Sequence, residues 1–379
     1  MSDTFGGNDE SIRPDVAVYW FGNWHVDPRM EAWLSKPGWT EWELVRDGTP
    51  RFEGHKQPIV PLWGYTDDAN LEHAQRACDA AVDAGIDAFM VDWYWYDGPL
   101  LQRPLDEALL KVDTDLKFAL MWANHDWWDV FPAENVPLDV FAPASVDLAT
   151  FETLTQHVID NYLGHPRYWR VNGALYYSIF KIDDLVNDLG GVESARRAFD
   201  EFRGRVREAG LGELHLAAVA SEFEQGPESS YMLERLGINS VNEYSWIKYI
   251  HGAPTVSYAE WSERAQAAWD EESVRYDVPF TPTVSVGWDS TPRTPKGSDV
   301  RDADWPFLPV VVDNTPAELE STMRAAVAWA EQRDAPYVAI NAWNEWTEGS
   351  ALEPDNHWGS SKLEAVKSVL RPGPPIDHA

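Results

Sequence analysis

At 379 residues, the chain is long enough for two ordinary domains or for one large α/β barrel. Its hydrophobic fraction of 44% and charged fraction of 25% are typical of a soluble globular protein, and no run of about 18 apolar residues could span a bilayer. The 63 acidic and 30 basic residues give a formal charge of −33, and such a surface repels phosphate backbones and anionic lipids. We therefore expect no nucleic-acid partner and no membrane partner.

The N-terminal segment and the cysteine content indicate where the protein is found. Residues 1–14 are polar and lack the basic and apolar regions of a secretory signal, so we predict a flexible N-terminus and a cytoplasmic location. Cys78 is the only cysteine, which excludes an intramolecular disulfide and a cysteine-based zinc site. It lies in an Ala-rich helical pattern, where we expect a buried and inert thiol.

Eight short runs of apolar, β-branched or aromatic residues alternate with longer helical patterns, which is typical of βαβ units and a parallel sheet. The predicted strands are 16–21, 88–94, 117–122, 174–180, 214–219, 240–244, 281–286 and 337–341. The predicted helices are 71–84, 104–111, 148–162, 192–209, a short one near 231–236, 258–272, 317–334 and 362–370.

This alternation favours a closed barrel over an open doubly wound sheet. No Gly-x-Gly-x-x-Gly follows the first strand, as a dinucleotide-binding fold would require. No linker or internal repeat divides the chain. We therefore predict the α/β class, with a single (β/α)₈ TIM barrel over residues 15–370, long βα loops, and a flexible tail at 371–379.

The active site of such a barrel lies at the C-terminal ends of its strands, and here these ends are polar and aromatic. The 21 tryptophans suit stacking on the C–H faces of sugar rings, so we expect a carbohydrate substrate. His55 lies in the long insertion after the first strand. The predicted substrate-binding residues are Tyr19, Trp20, His55, Asp92, Trp93, Tyr94, Trp122, Asn124, His125, Glu243, Tyr244, Trp288, Arg293, Trp343 and Asn344.

Two glutamates follow the eighth predicted strand. Hydrolysis of a glycosidic bond needs one acid to protonate the leaving oxygen and a second carboxylate as base or nucleophile. Glu345 and Glu348 are three residues apart, a spacing that can bring both carboxyls to one side of a turn, and aromatic neighbours would raise the pKa of one of them. A pair of glutamates at a helix start can also favour the helix dipole alone, so spacing leaves both readings open.

A cation site is an alternative use of the strand ends. Asp92, Asn124, His125, Asp126 and Glu345 combine oxygen ligands with one imidazole, a mixture that could hold a divalent metal. Neither a His-x-x-x-His nor an EF-hand spacing is present. Hydrogen bonding to sugar hydroxyls is the better-supported interpretation, so we expect no metal and no cofactor.

The segment 340–349, Ile-Asn-Ala-Trp-Asn-Glu-Trp-Thr-Glu-Gly, followed by Leu-Glu-Pro at 352–354, resembles the signature near the end of the WbsX-like proteins, which carry a glycosyltransferase name. Related enzymes of glycoside hydrolase family 99, the endo-acting α-mannosidases, have a similar Asn-Glu-Trp-x-Glu-Gly. Further segments resemble WbsX-like proteins in the same order: 38–42, 54–58, 93–96, 103–106 and 122–124.

The resemblance implies a (β/α)₈ barrel and hydrolysis of an α-linked sugar with retention. By likeness to family 99, Glu345 is the base that assists the sugar's own 2-hydroxyl to attack the anomeric carbon, and Glu348 is the general acid and then the base. This chemistry requires a 2-hydroxyl trans to the leaving group, as in α-mannosides or α-rhamnosides.

Two positions depart from the pattern of these families. Thr347 stands where family 99 has a histidine, and His125 stands where WbsX-like proteins have a glutamate in Ala-Asn-Glu-x-Trp. An imidazole in place of a carboxylate would change which hydroxyl or charge is preferred. The sugar is therefore not implied by the resemblance.

The leading prediction is a retaining glycoside hydrolase, a monomer or small homo-oligomer, that acts on an oligosaccharide or a polysaccharide fragment. One alternative is a glycosyltransferase of polysaccharide biosynthesis, which the acid-rich, lysine-poor strand ends disfavour because a nucleotide diphosphate needs cations. The other is a non-catalytic carbohydrate-binding barrel, which would keep the tryptophans without needing both glutamates.

Overall fold

The computed structural model describes residues 13–220, 227–299 and 305–372. Nine parallel strands form a nearly closed barrel, so the predicted α/β barrel is confirmed. They are β1 Asp15–Trp20, β2 Ala88–Trp95, β3 Lys117–Trp122, β4 Ala174–Ile179, β5 Leu214–Val219, β6 Ser240–Asn242, β7 Phe280–Thr281, β8 Thr283–Ser285 and β9 Tyr337–Asn341. Their order around the barrel is β7-β6-β5-β4-β3-β2-β1-β9-β8.

The barrel closes at the seventh predicted strand, which the structure divides in two. β7 pairs with β6 through Phe280 and Val241, whereas β8 pairs with β9 through Thr283 and Ala339. Pro282 lies between the two halves and has no N–H to donate to a ladder, but its carbonyl accepts a hydrogen bond of 3.0 Å from the Ala339 amide. The single strand predicted at 281–286 is therefore a pair of short strands that together occupy one barrel position.

Helices cover the outside of the barrel at each predicted position. They are α1 Pro28–Leu34, α2 Trp42–Asp47, α3 Leu71–Ala84, α4 Leu148–Val158, α5 Ile182–Asp188, α6 Val192–Glu208, α7 Pro227–Leu236, α8 Tyr258–Arg275, α9 Pro316–Arg333 and α10 Ser361–Leu370. π-Helical turns occupy Pro104–Leu109 and Ile159–Leu163. The sequence did not predict helices α1, α2 and α5. Helices α1 and α2 lie in the long insertion between β1 and β2, and α5 follows β4. Among the described residues, none of the helices combines the length and the apolar character that a membrane-spanning segment needs.

Short elements shape the loops above the barrel. Turns of 3₁₀-helix cover Ile247–Tyr249, Thr291–Arg293 and Trp346–Glu348. Antiparallel pairs join Trp127–Trp128 to Val140–Ala142 and Asn344–Glu345 to Ser350–Ala351, while Thr255–Ser257 runs parallel to Val310–Val312. Pro99–Leu100 pairs antiparallel with the end of β2, and Arg170–Val171 pairs antiparallel with the start of β4.

The local sequence explains why α3 begins and ends where it does. The side chain of Asn70 accepts hydrogen bonds from the amides of Glu72 and His73, and Gly85 ends the helix with a φ of 86°. The alanine-rich face packs on the barrel, and Cys78 is fully buried within it. Burial raises the pKa of that thiol to about 12, which confirms the expectation of a buried cysteine.

The two predicted flexible ends fall largely outside the described residues. Residues 1–12 of the segment 1–14 are not described, nor are residues 373–379 of the tail 371–379. Arg13 donates to the carboxylate of Asp87 at 2.7 Å and to the carbonyl of Gly85 at 2.6 Å. The chain is thus held to the N-terminal end of β2 just before β1 begins.

Candidate active site

The C-terminal ends of the strands open into a cavity of about 510 Å³, a size suited to a small ligand. Both acidic and aromatic side chains form its surface. Its lining consists of Phe21, Asp92, Tyr94, Met121, Ala123, His125, Trp127, Trp128, Val130, Phe131, Leu138, Phe180, Lys181, Tyr244, Ile247, Lys248, Arg293, Trp305, Glu345 and Glu348.

The turn after β9 brings Glu345 and Glu348 to the same side of the cavity. Glu345 belongs to the short antiparallel pair, and Glu348 ends the following 3₁₀ turn. Gly349 then reverses the chain with a φ of 67°, and a Cβ at this position would lie 2.7 Å from the Asp289 backbone nitrogen. Only glycine fits this close approach between the turn and the Asp289 backbone.

One guanidinium joins the two carboxyls. Arg293 donates from Nη2 to Glu345 at 3.1 Å and from Nη1 to Glu348 at 2.6 Å. It also donates to a third carboxylate, that of Glu41, at 3.0 and 3.2 Å. All four side chains are buried, so three acids share a single buried cation, whose one positive charge cannot balance three carboxylates.

Burial and mutual repulsion determine the charge state of the cluster. Burial raises the pKa of Glu345 well above its usual range, Arg293 opposes this rise, and Glu348 adds to it. Burial also raises the pKa of Glu348, again against the effect of Arg293. For Asp92, burial raises the pKa well above its ordinary value, the hydrogen bond from Tyr244 opposes this, and the charge of Glu348 supports it. Such a site can hold a protonated acid beside an ionised base at one pH.

Two carboxyl oxygens in this cluster have unused hydrogen-bonding capacity. Oε2 of Glu348 and Oδ1 of Asp92 are buried and have no hydrogen-bond partner among the described residues. The other oxygen of each is occupied, Glu348 Oε1 by Arg293 and by the Trp305 indole N–H at 3.2 Å, and Asp92 Oδ2 by the Tyr244 hydroxyl at 3.1 Å. Buried acceptors without partners are costly for stability, and a bound hydroxyl would satisfy them.

Glu41 is a site residue that was missing from the predicted set. It is fully buried, and one of its oxygens accepts a hydrogen bond from Asn23. The other oxygen accepts from the Thr347 hydroxyl at 2.6 Å, and that hydroxyl also lies 3.1 Å from Glu345. Its sequence signal was the segment 38–42 that carried part of the family resemblance.

Seven predicted site residues line the cavity, namely Asp92, Tyr94, His125, Tyr244, Arg293, Glu345 and Glu348. The lining also contains residues that the prediction omitted, among them Trp127, Trp128, Phe131, Phe180, Lys181, Lys248 and Trp305. The wall also carries two lysines, Lys181 and Lys248, beside the three acids Asp92, Glu345 and Glu348. One of them, Lys248, is neutralised by Glu243 at 2.6 Å and Glu272 at 3.1 Å.

Several predicted tryptophans face away from the cavity because side chains alternate along a strand. Trp93 packs against Tyr162 with ring centroids 6.4 Å apart, and Trp122 packs against Phe151 at 6.2 Å, both on the helix side of the barrel. Trp20 stacks on Phe89. Trp288 and Trp343 are buried and do not line the cavity either.

The remaining predicted residues do not line the cavity but contact residues that do, or the turn that carries the two glutamates. Tyr19 lies beneath Tyr244 and accepts a hydrogen bond from Asn242, and Glu243 bonds Lys248 and Tyr249. His55 lies 2.8 Å from Asp289, whose amide donates to the Glu348 carbonyl at 2.6 Å. Asn344 donates to and accepts from the backbone of Phe21 at 2.9 and 2.8 Å, which ties the turn that carries Glu345 and Glu348 to the end of β1.

The five residues considered for a cation do not form one ligand set. Among the described residues, no group of three His, Cys, Asp or Glu side chains could hold a metal ion. The Asn124 amide bonds the backbone of Lys181, and His125 Nδ1 lies 2.8 Å from the Asp126 carbonyl oxygen. Burial lowers the pKa of His125 to about 4, so its ring is neutral near pH 7.

Comparison with known proteins identifies the family of this chain. The family model described as "Glycosyltransferase WbsX" matches residues 16–366. The uncharacterized protein WxcX of Xanthomonas campestris pv. campestris is 29% identical over 392 residues, covering 97% of this chain and 51% of that protein. The chain thus spans about half the length of the curated relatives it matches.

Solved structures resemble this barrel along most of its length. The GH99 endo-alpha-mannosidase from Bacteroides thetaiotaomicron aligns with a TM-score of 0.58 and 14% identity, covering 94% of this chain and 96% of that one. A protein described as glycoside hydrolase-like aligns with a TM-score of 0.61 and 14% identity, covering 94% of each chain. At this identity the likeness establishes a shared fold. Since the family model spans nearly all of the sequence, the chain belongs to the WbsX family.

Proposed function

We propose that this chain is a glycoside hydrolase that cleaves an α-glycosidic bond with retention, on an oligosaccharide or a polysaccharide fragment. The observation that carries the proposal is the pair of buried glutamates, Glu345 and Glu348, joined by Arg293 at the wall of a cavity of about 510 Å³. Glycoside hydrolysis requires two such carboxyls beside the scissile bond. The structural likeness to a GH99 endo-alpha-mannosidase supports the same chemistry.

In the first step, Glu345 takes the proton of the substrate's 2-hydroxyl as O2 attacks C1, and Glu348 gives its proton to the leaving oxygen. The products are a 1,2-anhydro sugar and a free alcohol. In the second step, water attacks C1 and opens the anhydro ring, Glu348 takes the proton of that water, and Glu345 returns its proton to O2. Two inversions at C1 give net retention, and only water is consumed.

The environment of Glu348 suits a proton donor. Burial raises its pKa, which favours the protonated form that a general acid needs. Arg293 and Trp305 both bond Oε1, while Oε2 has no partner among the described residues and is available to the leaving oxygen. Burial raises the pKa of Glu345 as well, so the division of roles rests on contacts and on the likeness to family 99. Arg293 and the Thr347 hydroxyl both bond Glu345, and these bonds favour its ionised form against the effect of burial.

A glycosyltransferase is the second candidate, favoured by the description of the family and by Lys181 and Lys248 on the cavity wall. Lys248 is already paired with two carboxylates. The cluster of acids around Arg293 would repel the diphosphate of a nucleotide sugar. Hydrolysis is therefore the function that these contacts support better.

The test uses the wild-type protein, Glu345→Gln, Glu348→Gln and, as a matched control, Glu320→Gln on an exposed face of α9. Each is incubated with aryl α-glycosides and oligosaccharides, and NMR identifies the first anomer released. We expect retention in the wild type and the control. Both active-site variants should lose about 10²–10⁴-fold in kcat/KM on unactivated substrates.

Substrates with different leaving groups distinguish the proposed acid, Glu348, from the proposed base, Glu345. In kcat/KM, which reports the first irreversible step, Glu348→Gln should keep most of its activity on a dinitrophenyl glycoside, because that leaving group needs no proton. Glu345→Gln should lose kcat/KM on both substrates. Turnover that requires a nucleotide sugar would overturn the proposal. So would binding of sugars without any turnover, which is the behaviour of a carbohydrate-binding barrel.

A further inference from the structure

A second cleft adjoins the turn that carries Glu345 and Glu348. Its lining includes His55, Trp288, Val311, Asp355, Trp358 and Lys362, and its volume is about 320 Å³. Gly349, which ends the turn, also belongs to this lining. None of the residues described as lining the second cleft lines the cavity around Glu345 and Glu348. The second cleft is therefore distinct from that cavity.

Two charged side chains in the second cleft are buried and poorly paired. Lys362 is 5% exposed and Asp355 is 3% exposed. The Lys362 ammonium lies 3.8 Å from Asp355 Oδ2 and 3.4 Å from the Ala351 carbonyl oxygen, and both distances exceed the usual N–H···O length of about 2.9 Å. Asp355 Oδ1, by contrast, accepts from the amides of His357 and Trp358 at 2.6 Å. A ligand hydroxyl could accept from the ammonium and donate to Oδ2.

Two tryptophans in the second cleft offer a ring face and a hydrogen-bond donor. Trp358 is half-buried, and the centroid of its ring lies 4.4 Å from that of His357. Trp288 is buried, and its indole N–H has no hydrogen-bond partner among the described residues. A buried N–H without a partner is costly for stability, and a ligand hydroxyl would satisfy it. Indole rings also pack well against the C–H faces of sugars.

The charges of the second cleft favour a neutral ligand. Besides His55 and His357, its charged residues are two lysines and three aspartates, namely Lys56, Lys362, Asp289, Asp313 and Asp355. The three carboxylates would repel an anion, and the two ammonium groups would repel a cation. A neutral molecule with several hydroxyls can use the donors and the acceptors together. These features match a sugar.

We propose that the second cleft binds a neutral hexopyranose unit of an oligosaccharide or a polysaccharide. The sugar ring packs against Trp358, and the Trp288 indole N–H donates to one hydroxyl. Another hydroxyl bridges Lys362 and Asp355. Binding here needs neither of the two glutamates, so this site goes beyond the proposed hydrolysis.

The second cleft also contains two residues of the predicted substrate-binding set. His55 and Trp288 do not line the cavity around Glu345 and Glu348, but both line the second cleft. The segment 54–58, which carries part of the family resemblance, contributes Gly54, His55 and Lys56 to its lining. A sugar site here gives that segment a role apart from catalysis.

The experiment follows the indole N–H signals of Trp288 and Trp358 by NMR in ¹⁵N-labelled protein, with assignments from Trp288→Phe and Trp358→Phe. The probes are methyl α-D-mannopyranoside, methyl α-L-rhamnopyranoside and methyl α-D-glucopyranoside, each raised to about 100 mM so that millimolar dissociation constants are detected. We expect at least one sugar to shift both signals with saturation. The same shifts should occur in Glu348→Gln, because the two sites are separate. If none of the three sugars shifts both signals, or if the shifts vanish in Glu348→Gln, the inference is overturned.

Lys362→Met tests the proposed hydrogen bonds, with Lys367→Met as its matched control. Lys367 is exposed on the same helix, where it bonds Asp83 at 2.8 Å. Loss of a charged donor should weaken sugar binding at least about tenfold in Lys362→Met and leave it unchanged in Lys367→Met. Trp358→Ala changes a half-buried residue and should weaken binding as well, and urea unfolding checks that each variant is folded. Unchanged binding in both Lys362→Met and Trp358→Ala would contradict the proposed site.

Inorganic phosphate is the competing probe. Saturating shifts of Trp288 and Trp358 with phosphate and with none of the sugars would show an anion site and overturn the inference. All of these outcomes are read from binding, so they do not depend on whether the protein hydrolyses glycosides. Sugar binding in the second cleft without any hydrolysis would refute the proposed hydrolase and support this site.

Discussion

Replacing Arg293 by methionine is expected to destabilise the protein, and to do so more at pH 8 than at pH 5. Arg293 lies within 2.6–3.2 Å of oxygens of Glu41, Glu345 and Glu348, all of them buried. Removing one partner of a buried ion pair costs about 3–5 kcal/mol, because the remaining charge loses its compensation. Methionine keeps most of the side-chain volume, so lost packing contributes little.

The pH dependence follows from the raised pKa values of Glu345 and Glu348. Above the unfolded pKa of about 4.3, the folded state binds more protons than the unfolded state, so stability falls as the pH rises toward the folded pKa. Arg293 lowers both pKa values, and its removal therefore extends this fall to higher pH. Within that window, each carboxyl changes the free energy of unfolding by at most about 1.4 kcal/mol per pH unit.

The assay is urea unfolding followed by tryptophan fluorescence between pH 5 and 8, for the wild type, Arg293→Met and the control Arg324→Met. Arg324 bonds Glu320 at 2.6 Å on the exposed face of α9, and its loss should cost less than about 1 kcal/mol at every pH. An equal loss for Arg293→Met at pH 5 and pH 8, or a loss no larger than that of the control, would refute this reasoning.

Three further variants test other contacts. Glu41→Gln removes a negative charge that raises the pKa of both motif glutamates, so the acidic limb of the kcat/KM profile should move to lower pH; an unmoved limb would contradict this. Asn344→Ala leaves the buried amide and carbonyl of Phe21 unpaired and should cost about 2–4 kcal/mol in urea unfolding, against less than about 1 kcal/mol for the exposed Asn356→Ala. For His125, burial lowers the folded pKa to about 4, so its contribution to stability is lost as the pH falls from about 6.5 through 4. NMR should place its titration near 4, and His125→Phe should reduce the acid-induced loss of stability; a midpoint near 6.5 would contradict the burial argument.

The sequence predicted most of the elements because their signals are local. The predicted bounds of β3, β5, β9 and α3 coincide with those in the structure. Short apolar runs mark the three strands, and the Asn70 and Gly85 caps flank the helix, so each signal lies in or beside its own element. The seventh strand was less predictable, because its division at Pro282 depends on which neighbour each half pairs with. Helices α1 and α2 are short and carry little periodic signal.

The sequence by itself determined that a barrel would place acidic and aromatic residues at one end, and it singled out Glu345 and Glu348 through their motif. The tertiary structure decided which of the strand-end residues share the cavity. Trp93 and Trp122 face the helices, whereas Glu41 and Trp305 reach the site from loops far apart in the chain. Successive side chains of a strand point to opposite faces, so the sequence leaves two choices for which set faces the cavity. That choice, and the choice of which loop covers the cavity, depends on contacts between distant residues. Glu41 and Arg293, for example, are 252 positions apart.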